Sequence, residues 1–293
     1  MNDDLCSKFD FLRMCLPDEL GTLATTELNT IKNYEMYCPN GDCNGELDQI
    51  TIGFLWLLEQ YFTKYPIKGD NKYNTEPFFR YIILWLSYKL NKNTDHKTTK
   101  INDFYNQHVK NSGKYSNFTN ASSTFTSLED FIHKEKDLLN INIKDLSKFY
   151  DASKLICSMY SNLETNTNVD TLSNDATNFV IKYKELNNKY NNEDTERSKI
   201  LSALSTDYDN IKNICKNTQS LPEITADIYA LKSGDTSSSL SIGNRLFTVL
   251  SIFGAIAFFL GMSYKYSLFG FRKNFQKQKL REKIKKIKKK MNH

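Results

Sequence analysis

Apolar residues in this chain recur mostly at steps of three and four, the period of an amphipathic helix. Leu47, Ile50, Phe54, Leu57, Leu58 and Tyr61 form one wide stripe from Glu46 to Phe62. Pro77 stands where a first helical turn tolerates it and opens PFFRYIILWLSYKL, a run apolar nearly all round. Arg80 interrupts that run, and Ile82–Leu86 is too short to span a bilayer, so it is expected at the centre of a bundle. Thr126 and Glu129 have capping-box spacing ahead of Phe131, Ile132, Leu138 and Leu139. Three further stripes follow: Leu146, Phe149, Ser153, Ile156, Tyr160 and Leu163; then Leu172, Ala176, Phe179, Tyr183 and Leu186; then Leu201, Leu204, Tyr208, Ile211 and Cys215. Polar stretches separate them at Asn91–Lys100, Asn111–Ser123 and Asn187–Asp194, and strand-type alternation is not sustained anywhere. The pattern predicts an all-α domain over residues 1–220, a bundle of about six to eight helices.

The helical period then gives way to a different signal. Leu246–Tyr264 reads LFTVLSIFGAIAFFLGMSY, nineteen residues without a formal charge between Arg245 and Lys265. A helix of that length rises about 29 Å, the thickness of a bilayer's hydrocarbon core. Soluble helices rarely run so far without a polar face, so this segment is expected to be a single transmembrane helix. Residues 221–245, rich in Ser, Thr, Gly and Asp, read as a flexible stalk before it.

Charge sets the expected orientation. Residues 265–293 hold twelve Lys or Arg against Glu282 alone, a tail of +11; subtracting this from the chain's +5 leaves −6 for the rest. Short basic segments beside a span stay cytoplasmic, which puts residues 1–244 on the other side. Leu280, Ile284, Ile287 and Met291 fall at helical steps, while Lys283, Lys285, Lys286, Lys288, Lys289 and Lys290 fill much of the remainder. That is the pattern of a basic amphipathic helix able to lie on anionic lipid; a plain stop-transfer tail is the simpler reading of the same charge. Within the span, Ser251, Gly254, Ala257 and Gly261 place small residues at helical steps, which predicts weak self-association. The opening MNDDLCSKFDFLRMC has no basic n-region followed by an apolar h-region, so membrane entry is expected to rest on the span itself.

All six cysteines, Cys6, Cys15, Cys38, Cys43, Cys157 and Cys215, precede the span. An even number on a non-cytosolic side reads as a disulfide set, with 15 possible pairings; the alternative is that some are merely buried thiols. Cys38 and Cys43 are the best local candidate pair, because Pro39, Asn40 and Gly41 between them favour a tight turn. His96, His108, His133 and His293 have no zinc-type spacing to any cysteine, so no metal is expected.

Motifs for chemistry are missing from the sequence. It has no G-x-S-x-G elbow, no H-E-x-x-H and no Walker loop, since Ser112-Gly113-Lys114 lacks the preceding glycines. Neither an enzyme nor a cofactor is expected. The lysine run without aromatic stacking platforms excludes nucleic acid as its partner. Asn117-Phe118-Thr119 and Asn120-Ala121-Ser122 are formal glycosylation sequons, although sequons arise readily by chance in an Asn-rich chain.

The residues also carry a family likeness. It is strongest in YKYSLFGFRKNFQKQKLREKIKKIKKKMNH at Tyr264–His293, then in YIILWLSYKLN at Tyr81–Asn91 and LSKFYDASKLICSMY at Leu146–Tyr160. Cys6, the Leu16-Pro17-Asp18-Glu19-Leu20 segment and Tyr37-Cys38-Pro39 add to it. On these segments the chain resembles the Plasmodium interspersed repeat (PIR) proteins, in particular the multigene variants of rodent malaria parasites. The resemblance implies a helical, disulfide-bonded ectodomain on one C-terminal span, exported toward the infected red cell. It further implies a variant surface or host-interaction protein with a part in antigenic variation and immune evasion, its partner a host cell-surface protein of unspecified kind. The second reading is a membrane-anchored trafficking or remodelling component that works through its basic tail.

Overall fold

The apolar run from Pro77 is the helix on which the others are built. In the computed structural model of the chain, residues 3–19, 23–38, 41–64, 77–119, 132–165, 169–191, 195–215 and 220–225 are described. Six long helices order them: α1 (Asp3–Cys15), α2 (Glu46–Lys64), α3 (Pro77–Lys92), α4 (Tyr150–Thr165), α5 (Val169–Tyr190) and α6 (Glu196–Cys215). Shorter turns of helix connect them, among them Leu28–Thr30, Tyr34–Tyr37, Ile101–Phe104, Ser116–Thr119, Ile143–Leu146 and Ser147–Phe149, with a π-helical turn at Tyr105–Lys110. The described residues contain no strand, only an isolated antiparallel bridge between Lys100 and Asn142. The chain divides into two units, Met1–Thr236 and Ser237–His293, and every described residue belongs to the first.

Helix α3 is apolar on all sides because it is packed on all sides. Phe78, Phe79, Tyr81, Ile82, Ile83, Leu84, Trp85, Leu86 and Leu90 are all buried. It packs against α2 and α4 and against the turns at Ile143–Leu146 and Ser147–Phe149. Helix α4 in turn packs on α1, α5 and α6, so α3 and α4 together form the inner pair. Each large apolar side chain so buried contributes about 1.5–3 kcal/mol, and the run lies at the centre of the bundle as its pattern predicts. One glycine sets how closely α2 approaches it. A Cβ on Gly53 would stand 2.8 Å from Cη2 of Trp85 and 3.4 Å from Cδ2 of Leu12, so only glycine lets the three helices meet there.

The predicted helices from Glu46, from Pro77, and over Leu172–Leu186 and Leu201–Cys215 all form. The stripe from Leu146 is divided: Leu146 and Phe149 lie in two short turns, and α4 begins only at Tyr150. Helix α1 is an addition, anchored by buried Leu5, Cys6, Phe9, Leu12 and Cys15. Of the capping-box segment, Thr126, Glu129 and Phe131 lie outside the described residues, whereas Ile132, Leu138 and Leu139 are buried. Among the described residues no helix is long and apolar enough to cross a membrane. The expected span at 246–264, the tail at 265–293 and the stalk beyond residue 225 lie outside the described residues.

Candidate interaction face

Antiparallel packing gathers most of the inter-helix segments at one end of the bundle. Asn93, just past α3, donates from Nδ2 to Oε2 of Glu46 at the start of α2 (3.1 Å). Lys89 near the end of α3 donates to the carbonyls of Leu16 and Pro17, just past α1 (2.6 and 2.9 Å). Ile143 N–H donates to the carbonyl of Thr99 (2.8 Å), joining the segment after α3 to the turn before α4. The end of α5 joins them through Tyr190, and the start of α6 through Arg197. The last described residues, 220–225, lie at the other end. There Tyr208 of α6 donates to the carbonyl of Pro222 (2.7 Å), Lys212 pairs with Glu223, and Tyr81 near the start of α3 donates to Asp207 (2.8 Å).

Two polar knots hold the gathered end in place. In the first, the buried carboxylate of Asp18 takes Lys89 on Oδ1 (3.0 Å) and Lys154 on Oδ2 (2.9 Å), while the Tyr150 hydroxyl donates to both oxygens. The Asp18 carbonyl accepts from Lys92 (2.6 Å) and from the Tyr88 hydroxyl (3.2 Å), and the rings of Tyr88 and Tyr150 stack at 4.3 Å. Burial pushes the Asp18 carboxyl up, but Lys89 and Lys154 outweigh it and hold the group below its ordinary value. Burial pulls the Lys89 ammonium down against the opposing pull of Asp18. The pair stays charged because each partner's remaining bonds are satisfied.

The second knot centres on Asp145. It accepts from Lys148 (2.8 Å), from the Tyr190 hydroxyl (3.2 Å) and from Arg197 (3.2 Å), and the hydrogen bond from Lys148 is the main reason its carboxyl titrates low. Lys148, Lys189 and Arg197 surround the Tyr190 ring at 5.7, 5.4 and 5.8 Å, within cation–π range. An open groove of about 540 Å³ runs between the end of α1, residues 24–29 and the start of α2.

Four of the six cysteines form bridges. Cys6 of α1 joins Cys157 of α4, with Cα atoms 5.0 Å apart, and Cys38 joins Cys43, with Cα atoms 6.1 Å apart. Gly41 within the second loop takes φ +70°, the left-handed conformation that the Asn-Gly pair favours. Cys15 and Cys215 depart from the expected disulfide set and are buried thiols. The reason is distance: Cys15 ends α1 at the gathered end and Cys215 ends α6 at the opposite one, while a bridge needs Cα atoms within about 7 Å. Burial raises both thiols, Cys15 to about 11.

Among the described residues no group of three or more His, Cys, Asp or Glu is placed to hold a metal ion. Asn117 of the first sequon is exposed, and Asn120 lies outside the described residues. Also outside them are the lipid-contact candidates Leu280, Lys283, Ile284, Lys285, Lys286, Ile287, Lys288, Lys289 and Lys290. Neither knot stands out in the sequence. Lys89 is the nearest thing to a signal, a lone cation on an otherwise buried stripe, which requires a partner from elsewhere.

The described residues thus form a helical domain tied by two disulfides, with most of its inter-helix segments at one end. The family model for the Plasmodium variant antigen protein Cir/Yir/Bir matches residues 6–265, and the chain belongs to that family. A solved structure, described as a Plasmodium PIR protein ectodomain, is 30% identical with a TM-score of 0.55, covering 76% of this chain and 98% of its own. No curated protein matches the chain.

Proposed function

We propose that this protein is a variant surface antigen of the rodent-malaria type, displayed by an infected cell and used in host interaction and immune evasion. Family membership supports the antigen role, and one observation carries the mode of display. Three of the five connections between the long helices, the two longest among them, lie at the end of the bundle opposite residues 220–225. Residues 246–264 would then anchor the chain in a single pass, with its basic tail cytoplasmic and the helical unit on the other side of the membrane. The polar knots have a role in this reading. A hydrogen-bonded frame, buried at Asp18 and half-buried at Asp145, tolerates exchange of the exposed residues between its fixed points, because surface substitutions change stability little.

Topology is the test. Protease added to intact infected cells should remove an epitope placed in residues 1–220 and spare one placed at the C-terminus. Protection of both epitopes would place the bundle inside a membrane and favour a trafficking role for the basic tail.

A further inference from the structure

The groove beside the end of α1 has a lining that excludes most ligand classes. Its polar walls come from Thr25, Glu27, Asn29, Tyr34, Asn44 and Gln49, with the buried Cys15 and Cys43 beneath. Among the described residues of the lining Glu27 is the only charged side chain, and Lys114, whose charge reaches Tyr34, is already paired with Asp48. Nearby Asp48 is occupied by Lys114 (2.7 Å) and by the Tyr115 hydroxyl (3.0 Å). Drug-like apolar ligands need mainly apolar walls. Peptide docking needs a sheet edge, an apolar groove for a helix face, an aromatic channel or an arginine cluster, none of which these residues provide.

What the lining does provide is three side-chain amides, two hydroxyls and one carboxylate around a half-buried tyrosine. Amides both donate and accept, and a tyrosine offers an apolar ring face with a polar tip. The backbone that carries these side chains is tied down at several points. The Cys38–Cys43 bridge pins one side, and buried Leu28 and Ile31 anchor the turn that carries Asn29. Thr25 N–H donates to the Met14 carbonyl (2.9 Å), and Asn29 donates to Glu27 Oε2 (3.0 Å), which sets the amide's direction. Such preorganisation lowers the entropic cost of holding a flexible polar ligand.

We infer that this groove binds an uncharged, polyhydroxylated ligand, a neutral oligosaccharide. The Glu27 carboxylate disfavours sialylated and sulfated chains. The inference deepens the host-interaction reading and rests on it for its biological setting. The binding assay needs no membrane orientation, so either can fail alone.

The test uses the full chain in lipid nanodiscs on an array of neutral, sialylated and sulfated oligosaccharides. Neutral oligosaccharides should be retained and competed by the same sugar free in solution. Asn29→Ala and Gln49→Ala, at exposed and half-buried positions, should each weaken binding about fivefold, the effect of one hydrogen bond, with unchanged thermal melting. Asn210→Ala, exposed on α6 and away from the groove lining, should bind as the parent does. Retention of no neutral sugar, retention of anionic sugars alone, or parent-like binding by both groove variants would overturn the inference.

Discussion

Lys89 and Asp18 form an ion pair at 3.0 Å in which the side chains are only 7% and 5% exposed. It fastens the segment after α1 to the end of α3, and so fixes one wall of the gathered end. Removing one partner from such a pair leaves an uncompensated buried charge, which costs about 3–5 kcal/mol. Asp18→Asn should therefore lower the urea midpoint sharply at pH 7, by about 3 kcal/mol in unfolding free energy. The pH dependence has a definite sign. The folded Asp18 titrates below its unfolded value, so its stabilisation is present above about pH 4 and is lost as pH falls through the folded value. Parent and variant should converge once the pH has fallen below the folded Asp18 value; an undiminished gap there would mean that Asp18 acts through packing alone.

The two bridges should differ in weight. Cys6–Cys157 spans a sequence separation of 151 and Cys38–Cys43 one of 5, which by loop-closure entropy corresponds to about 5 and about 2 kcal/mol. Replacing Cys6 and Cys157 together by Ser should be much the more damaging pair of changes. Alkylation of the unreduced, denatured protein should label Cys15 and Cys215 and no other cysteine, read by peptide mass spectrometry.

Gly53→Ala should cost about 1–3 kcal/mol by overpacking, since the new methyl would meet the indole of Trp85 at 2.8 Å. Trp85 fluorescence should shift with it. A compensating Trp85→Phe change in the Gly53→Ala background should recover part of the loss, because it withdraws the ring edge that the methyl strikes.

The basic tail gives a prediction of its own. A peptide of residues 271–293 should bind vesicles containing anionic lipid, become helical there, and lose binding as salt shortens the Debye length from about 10 Å at 0.1 M to about 3 Å at 1 M. Ile284→Ser with Ile287→Ser should weaken binding and leave orientation unchanged. Equal binding to neutral vesicles would show that the charges only fix topology.

What the sequence by itself determined is local and periodic. The stripes at Leu47–Tyr61, Leu172–Leu186 and Leu201–Cys215 marked helices, because burial of one face repeats every three or four residues. Pro77 marked the start of α3 because its fixed φ suits a first turn. Cys38 and Cys43 were legible as a pair, being five residues apart across an Asn-Gly turn. Helix α1 was harder to see, although Leu5, Phe9, Leu12 and Leu16 have the right spacing, since Asp3, Asp4, Asp10 and Arg13 dilute so short a stripe. Only the tertiary structure decided the partners. Cys6 with Cys157, Lys89 with Asp18, and Arg197 with Asp145 each join segments whose approach depends on how whole helices pack. The same packing separates Cys15 from Cys215 by the length of the bundle. A helical period states which face is buried; it does not state against what, because apolar contact is non-directional and the choice of neighbour is made collectively by the core.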